Sequence, residues 1–449
     1  MVDDGDPGEQ GSLSFSATSV AEPAPCPSLS LTLKLVMVGV LYFAEGIPFG
    51  FIITSVNAYL SGRGVPPEQI GILSLLSLPW SLKFFWSPLV DRYGLRSSWI
   101  IGAQGVMILC LLGLASLVSG PVTLSFWLLL AMLCLGSATQ DLAIDAYTID
   151  FLETKELGIA NGIRSGSYRF GSLAAGSGLL ILSDVVGWRP AFVGVGVLFA
   201  ALAITILTFR SFRLPRAASG PDQKHDSPLA IFTNALKSLS THSSFWAVIL
   251  FVLLYKAGDA MMGIMVIPFW KHLSFSSTQI GLVSGMLGSV ATTLGGLLGG
   301  WYTSRFGIGI SLLVLGLIQA VFHLGYWLAA LPGLGRLALF HLPLPFVDLA
   351  VPFYPIYLAS VGESLAVGLG YAPFMAFMMS LCDKRFSATQ YAFFVFLFVL
   401  SGRLMGFVGG FGVKYLGFAN FFFVTFLVAL PAFALLPWIL PLVRQIEGR

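Results

Sequence analysis

Charge is what this sequence has least of. Only 10% of its 449 residues are Asp, Glu, Lys or Arg, where a soluble globular protein carries about 25%. A water-facing surface of ordinary size cannot be built from that supply, so a soluble one- or two-domain enzyme is excluded. An excess of one sign is also missing. The 24 Lys and Arg stand against 21 Asp and Glu, and no basic block interrupts the chain, which excludes a nucleic-acid binder. Cysteine is scarce: Cys26, Cys110, Cys134 and Cys382 show neither CxxC spacing nor a disulfide framework. Cys110 and Cys134 sit in apolar runs, where a thiol acts as a small hydrophobe. No residue spacing suggests a metal, no motif suggests a cofactor, and no Walker-type loop suggests ATP-driven work.

What is abundant points one way. Hydrophobic residues make up 56% of the chain, with 50 Gly and 38 Phe. Small residues let helices approach closely in lipid, and apolar runs of about 20 residues are long enough to span a bilayer. The sequence predicts an all-α integral membrane protein with twelve such runs: 32–60, 68–90, 98–118, 122–149, 157–183, 189–209, 244–270, 278–302, 308–331, 352–380, 387–413 and 419–443. They are called segments 1 to 12 below.

Five acids, no Lys or Arg, and many Ser, Pro and Gly make residues 1–31 a disordered tail. Without the basic n-region of a cleaved leader, segment 1 is expected to be retained. A hydrophilic loop, 210–243, separates a six-helix half at 32–209 from a second at 244–443, and 444–449 form a short tail. The Pro- and Leu-rich stretch 332–351 reads as a surface helix.

Basic residues set the orientation. With the N-terminus in the cytoplasm, 15 Lys and Arg fall on cytoplasmic loops and helix ends, against five (Arg63, Arg189, Lys271, Arg336, Lys414) on the other side and four within segments. Both termini and the 210–243 loop are therefore expected in the cytoplasm.

A repeat supports the division into halves. Asp91-Arg92-Tyr93-Gly94 after segment 2 and Ser304-Arg305-Phe306-Gly307 after segment 8 both fit G-x-x-x-D-R-x-G loosely, 213 residues apart. The same offset carries Glu45 next to the position of Asp259. Duplicated halves are common in secondary transporters. Asp91, Arg92 and Arg305 are candidate elements of a conformational switch, because an Asp at a helix end can accept bonds across the interface between halves.

Ionised groups in the bilayer centre cost about 2.5–3.5 kcal/mol on insertion scales, so each one retained there needs a reason. Five acids qualify: Glu45, Asp141, Asp145, Asp259 and Glu363. They lie on segments 1, 4, 7 and 10, whereas segments 3, 6, 9 and 12 have no charged residue in their interiors. One helix of each triplet should therefore face a polar cavity and another should face lipid. Asp141 and Asp145 share a helix face, and Arg164 and Arg169 on segment 5 come to the same depth. Lys256 can pair with Asp259 on segment 7, and Glu363 with Arg403 at similar depth. Structural ion pairing is the competing reading for each pair. Glu45, with no basic neighbour on its own helix, is the first candidate for carrying a proton, and Asp259 and Glu363 follow. Pro48 in segment 1 and Pro268 in segment 7 remove backbone donors and bend their helices. His323, alone in segment 9, reads as a packing residue.

Several strings resemble a known family. They are Leu82-Lys83-Phe84-Phe85-Trp86-Ser87-Pro88-Leu89-Val90-Asp91-Arg92, Ser137-Ala138-Thr139-Gln140-Asp141-Leu142-Ala143-Ile144-Asp145-Ala146, Tyr168-Arg169-Phe170-Gly171, and Lys384-Arg385-Phe386-Ser387-Ala388-Thr389-Gln390-Tyr391-Ala392. With the 6+6 pattern they resemble the major facilitator superfamily, and within it the muropeptide permease (AmpG) branch, which is related to acetyl-coenzyme A transporters. The likeness covers about 32–443. It implies import of anhydro-muropeptides across the inner membrane, driven by protons. It also implies a small-molecule substrate and a chain that functions as a monomer. Arg164, Arg169 and Lys256 would meet substrate carboxylates; Gln140, Tyr168 and Gln390 would meet hydroxyls and amides. The sequence departs from that branch after segment 2, where only Arg92 and Arg96 remain of a longer basic loop. Acetyl-coenzyme A and siderophore carriers share parts of the pattern and remain alternatives. A polytopic membrane enzyme lacks the loop His and acid cluster it would need, and a non-transporting sensor would have no need of the buried acids.

The orientation is testable. In intact cells an impermeant maleimide should label Arg63→Cys and leave Lys224→Cys untouched; the opposite pattern would invert the topology.

Overall fold

The computed structural model describes residues 30–86, 89–90, 95–152, 157–209, 244–343, 350–381 and 387–447. The expectations for the N-terminal tail, the 210–243 loop, Asp91, Arg92, Cys26 and Cys382 lie outside those residues. Within them the protein is a bundle of long helices. Ten are long and apolar enough to cross a membrane: Leu31–Gly62, Arg96–Leu117, Leu124–Thr148, Gly166–Val186, Trp188–Thr208, Phe245–His272, Ser277–Phe306, Ile308–Ala330, Pro355–Ser380 and Phe393–Ala434. Nine correspond one to one with predicted segments 1 and 3 to 10, and the tenth runs across segments 11 and 12.

Segment 2 falls outside that set because it is broken. Helices Pro67–Leu76 and Leu78–Leu82 meet at Ser77, and a 3-10 turn, Lys83–Phe85, follows. Pro79, one residue into the second piece, has no N–H to continue the ladder, and the Ser77 hydroxyl donates back to the Ser74 carbonyl at 2.5 Å. In the last long run, Gly417 adopts φ 71°, ψ 167°, a conformation closed to most L-residues. The chain turns sharply there.

The described residues of the 332–351 stretch form no helix. Phe340–Pro343 (β1) and Ala350–Phe353 (β2) pair antiparallel, and the rings of Phe340 and Phe353 stack at 4.8 Å. Four prolines between 343 and 355 withhold the N–H groups a helix needs. A two-stranded ribbon tolerates them at its edges.

Among the described residues, the helices before residue 210 and those after 243 are tied together mainly at one end, the end carrying Arg63, Glu68, Asp184 and Lys414. There Asn57 Nδ2 donates to the Ile264 carbonyl at 3.0 Å. Asp184 accepts from the backbone N–H and hydroxyl of Thr278 at 2.6 and 2.9 Å, and Lys414 pairs with Glu68 at 2.7 Å. Two π-helical stretches, Ala174–Gly178 and Gly281–Leu287, meet face to face. The contact needs glycine. A Cβ at Gly285 would lie 1.7 Å from Ser177 Oγ, and one at Gly281 2.8 Å from the Ser177 carbonyl.

That close approach yields a prediction. Overpacking a tight contact costs about 1–3 kcal/mol, so Gly285→Leu should open the tied end. In a chain with its native cysteines replaced by serine, maleimide labelling of Gly263→Cys from that side should rise roughly five- to hundredfold. Unchanged labelling would mean that this contact does not hold the halves closed.

Candidate functional site: two charged cavities between the halves

The crossing of segments 1 and 5 places Glu45 against the interior. Gly46 makes it possible: a Cβ there would fall 2.0 Å from the Tyr168 carbonyl. Just beyond, Pro48 disrupts the backbone ladder. Phe51 N–H is shared between the carbonyls of Ile47 and Pro48, and a π-helical stretch follows at Phe51–Val56. Such π segments recur where helices carry functional groups.

A cavity of about 680 Å³ opens on this crossing. Tyr42, Glu45 and Phe49 reach it from segment 1, Trp80 and Lys83 from segment 2, and Asp141 from segment 4. Segment 5 contributes Arg164, Tyr168, Arg169 and Ser172; Ser289 and Arg403 come from the second half of the chain. Asp145, just beside it, is the hub of the charges. Its Oδ1 accepts from Arg164 Nη2 and from the Tyr42 hydroxyl, each at 2.9 Å. Its Oδ2 lies 3.4 Å from Lys83 Nζ, which is also 4.0 Å from Asp141 Oδ2. The Arg164 guanidinium sits over the Tyr42 ring at 4.6 Å, a cation–π contact that fixes its plane. Glu45 is only 8% exposed, and its Oε2 has no hydrogen-bond partner among the described residues. Three carboxylates thus share two close cations.

A second cavity, of about 450 Å³, lies against the second-half helices. Segment 7 breaks between Phe245–Leu254 and Ala257–His272, which places Lys256 at the break and Asp259 in the first turn beyond it. Lys256 Nζ is 3.5 Å from Asp259 Oδ2 and donates to Gln319 Oε1 at 2.6 Å. Gln319 Nε2 returns a hydrogen bond to Asp259. His323 Nε2 lies 2.8 Å from Asp259 Oδ1. Glu363 and Arg403 line the same cavity, with no ion pair between them among the described residues. Arg403 therefore borders both cavities.

Several expectations change. Arg164 joins the segment 4 aspartates as the depth argument requires, but Arg169 does not. Its Nη1 donates to Thr293 Oγ1 of the second half at 2.9 Å, because the two residues are five apart and face different sides of the helix. His323 is no packing residue: fully buried, it completes the coordination of Asp259. Asp259, held by three partners, is poorly placed to exchange a proton, whereas Glu45 and Glu363 are not so held. Gln140 is buried next to Asp141, with both amide atoms lacking a partner among the described residues. Gln390 is buried near the start of the Ser387–Ala429 helix. Arg305 is exposed in the last turn of Gly288–Phe306. Sequence reasoning missed Lys83, Gln319 and Tyr42. Lys83 lies toward the end of segment 2, where a basic residue reads as one of the cytoplasmic set, and nothing about a lone Gln or Tyr marks it as a partner of a buried acid.

Comparison with known proteins shows the family and the fold. The profile of the Major Facilitator Superfamily matches residues 35–405. The anhydromuropeptide permease of Escherichia coli K12 is 29% identical over 404 residues, covering 88% of this chain and 78% of its own length. A transporter carrying the name AmpG 4, from Rickettsia conorii, is 28% identical over 417 residues, covering 90% and 96%. Among solved structures, the nucleoside transporter NupG superposes with a TM-score of 0.67 at 16% identity, covering 92% of this chain and 99% of that one. A bacterial homolog of the lysosomal transporter Spinster, inward-facing and unoccupied, gives 0.63 at 17% identity, covering 90% and 95%.

The hub at Asp145 can be dissected. The Arg164 side chain is 43% exposed, so breaking the pair should cost less than the about 3–5 kcal/mol of a fully buried one. A double-mutant cycle on thermal unfolding, Asp145→Asn with Arg164→Ala, should give a coupling of about 0.5–3 kcal/mol. Additive effects would mean that the two groups do not interact.

Proposed function

The chain belongs to the Major Facilitator Superfamily, a family of transporters and not of enzymes, and from that premise we propose that it imports a polar solute in company with protons. Its first expected substrate is an anhydro-muropeptide. The protein is a multi-pass membrane protein. In this reading it has twelve spans in two six-helix halves, 32–209 and 244–443, joined by a cytoplasmic 210–243 loop, with both termini in the cytoplasm of an inner membrane protein that works as a monomer. The substrate proposal leans on the likeness to relatives named as permeases of anhydromuropeptides and on a cavity of about 680 Å³ with polar and aromatic walls.

The observation that carries the proton proposal is the charge balance around Glu45. Glu45, Asp141 and Asp145 lie close to Lys83 and Arg164, so one proton brings the group to neutrality. A buried, uncompensated carboxylate favours water and hence the open cavity; the neutral site tolerates closure. Proton and substrate would then enter together, and the halves would rock about the site. Asp91, Arg92 and Arg305 would tune that rocking, and Glu363 is the second candidate for proton exchange.

Uptake into proteoliposomes tests both parts. A labelled anhydro-muropeptide should accumulate under an inward proton gradient, and a protonophore should abolish accumulation. Glu45→Gln should retain downhill exchange and lose its pH dependence. Concentrative uptake by Glu45→Gln would remove that residue from coupling. Uptake of acetyl-coenzyme A or an iron–siderophore, without muropeptide uptake, would replace the substrate and leave the transporter standing.

A further inference from the structure

The cations of the two cavities are not equivalent, and their pairing separates them into two groups. Arg164 and Lys83 are bound up with Asp145 and Asp141, and Lys256 with Asp259 and Gln319. Their charge is already answered by the protein. Two guanidiniums remain without a carboxylate within ion-pair distance among the described residues, Arg169 and Arg403. Arg169 bonds only the neutral hydroxyl of Thr293, and the Nε of Arg403 has no hydrogen-bond partner there. Both line the 680 Å³ cavity. They come from opposite halves, Arg169 from segment 5 and Arg403 from segment 11.

A guanidinium that a membrane protein keeps in its interior without a counter-charge is costly. It is stabilised by water while the cavity is open, and closure around the cavity removes that water. Occlusion with both arginines uncompensated would therefore be strongly disfavoured. An anionic ligand placed between them supplies part of the missing counter-charge, with the directional N–H pairs that suit carboxylate and phosphate alike. Next to the arginines stand the rings of Phe49, Trp80 and Tyr168, with Phe49 5.9 Å from Trp80 and 6.1 Å from Tyr168. Flat apolar faces beside a cationic clamp suit a ligand that carries an anionic group on a ring-bearing body.

We propose that Arg169 and Arg403 form an inter-half clamp for a carboxylate of the transported solute, so that substrate charge as well as proton uptake is required for the halves to close. This rests on the transporter reading above and names the substrate's chemical class and the two side chains that select it. It withdraws the carboxylate-binding role from Arg164 and Lys256, whose charges serve the protein's own acids.

The test uses the full-length protein in nanodiscs and two probes: a muramyl tripeptide with free carboxylates and the same molecule with its carboxylates amidated. Wild type should bind the free form at least about tenfold more tightly, a difference of about 1.4 kcal/mol. Arg169→Gln and Arg403→Gln should each erase that preference, weakening the free form far more than the amidated probe, and Arg403→Lys should restore part of it. Equal losses for both probes, or a preference intact in both Gln variants, would overturn the clamp. If wild type binds neither probe, the muropeptide reading fails and a measurement with a simple anion decides the clamp. Sulfate, compared with chloride at matched ionic strength, should raise the melting temperature of wild type and not that of the Arg169→Gln, Arg403→Gln double variant. An equal rise in both, from an adventitious ion only, would overturn it.

Discussion

An ion moved from water into hydrocarbon keeps its charge only where the surroundings replace its hydration, and this constraint organises the interior of the protein. The segment 4 aspartates are met by Lys83, Arg164 and Tyr42; Asp259 is met by Lys256, His323 and Gln319. None of these partners lies on the same helix as its acid except Lys256. The ion pairs consequently fix how helices stand against one another, which the apolar surfaces of lipid-embedded helices specify only weakly, since lipid is as apolar as the helices themselves. Glycine supplies the second condition. Where Gly46 meets Tyr168 and Gly285 meets Ser177, backbone approaches backbone or a short side chain closely enough for polar groups to reach across.

The same constraint links chemistry to motion. A site with one carboxylate too many and, on its other wall, two cations too many is stable only while water fills it. In the proposed reading a proton removes the first imbalance and an anion reduces the second. The end tied by Asn57, Asp184, Lys414 and the paired π-helical stretches is held by short bonds, so in the proposed reading the cavity exchanges its water on the other side. On that proposal alternating access needs no energy source beyond the ligands themselves. Closing at one end becomes favourable when the charges are balanced, and the tied end can part when its few contacts are exchanged for contacts opposite.

How much of this could be read from the sequence depends on contrast. Glu45, Asp141, Asp145, Asp259 and Glu363 stood out because a charge in an apolar run is conspicuous, and their recurrence on every third segment pointed to a shared interior. The Asp141–Asp145 face and its Arg164 partner followed from helix geometry alone. What escaped depended on azimuth and on neighbours from distant helices. Arg169 turns away from the aspartates, a matter of helix rotation that spacing to a second helix cannot decide. Lys83 hid among residues counted as a cytoplasmic end, because the break at Ser77 brings it back toward the acids. His323 looked isolated since its partner lies 64 residues earlier. The 332–351 stretch misled because its leucines suggest a helix while its prolines decide the matter.

The central claim is that the charge state of Glu45 governs closure of the open end. Spin labels at Ser98→Cys and Ser304→Cys, both exposed at that end and on opposite halves, report it directly as a distance in nanodiscs. With the native cysteines replaced by serine and a muramyl tripeptide present throughout, acidification should shift the distribution toward the shorter distance. Glu45→Gln should show that shorter population at every pH. A distribution that ignores pH in the unsubstituted background, or one that still responds to pH in Glu45→Gln, would contradict the account.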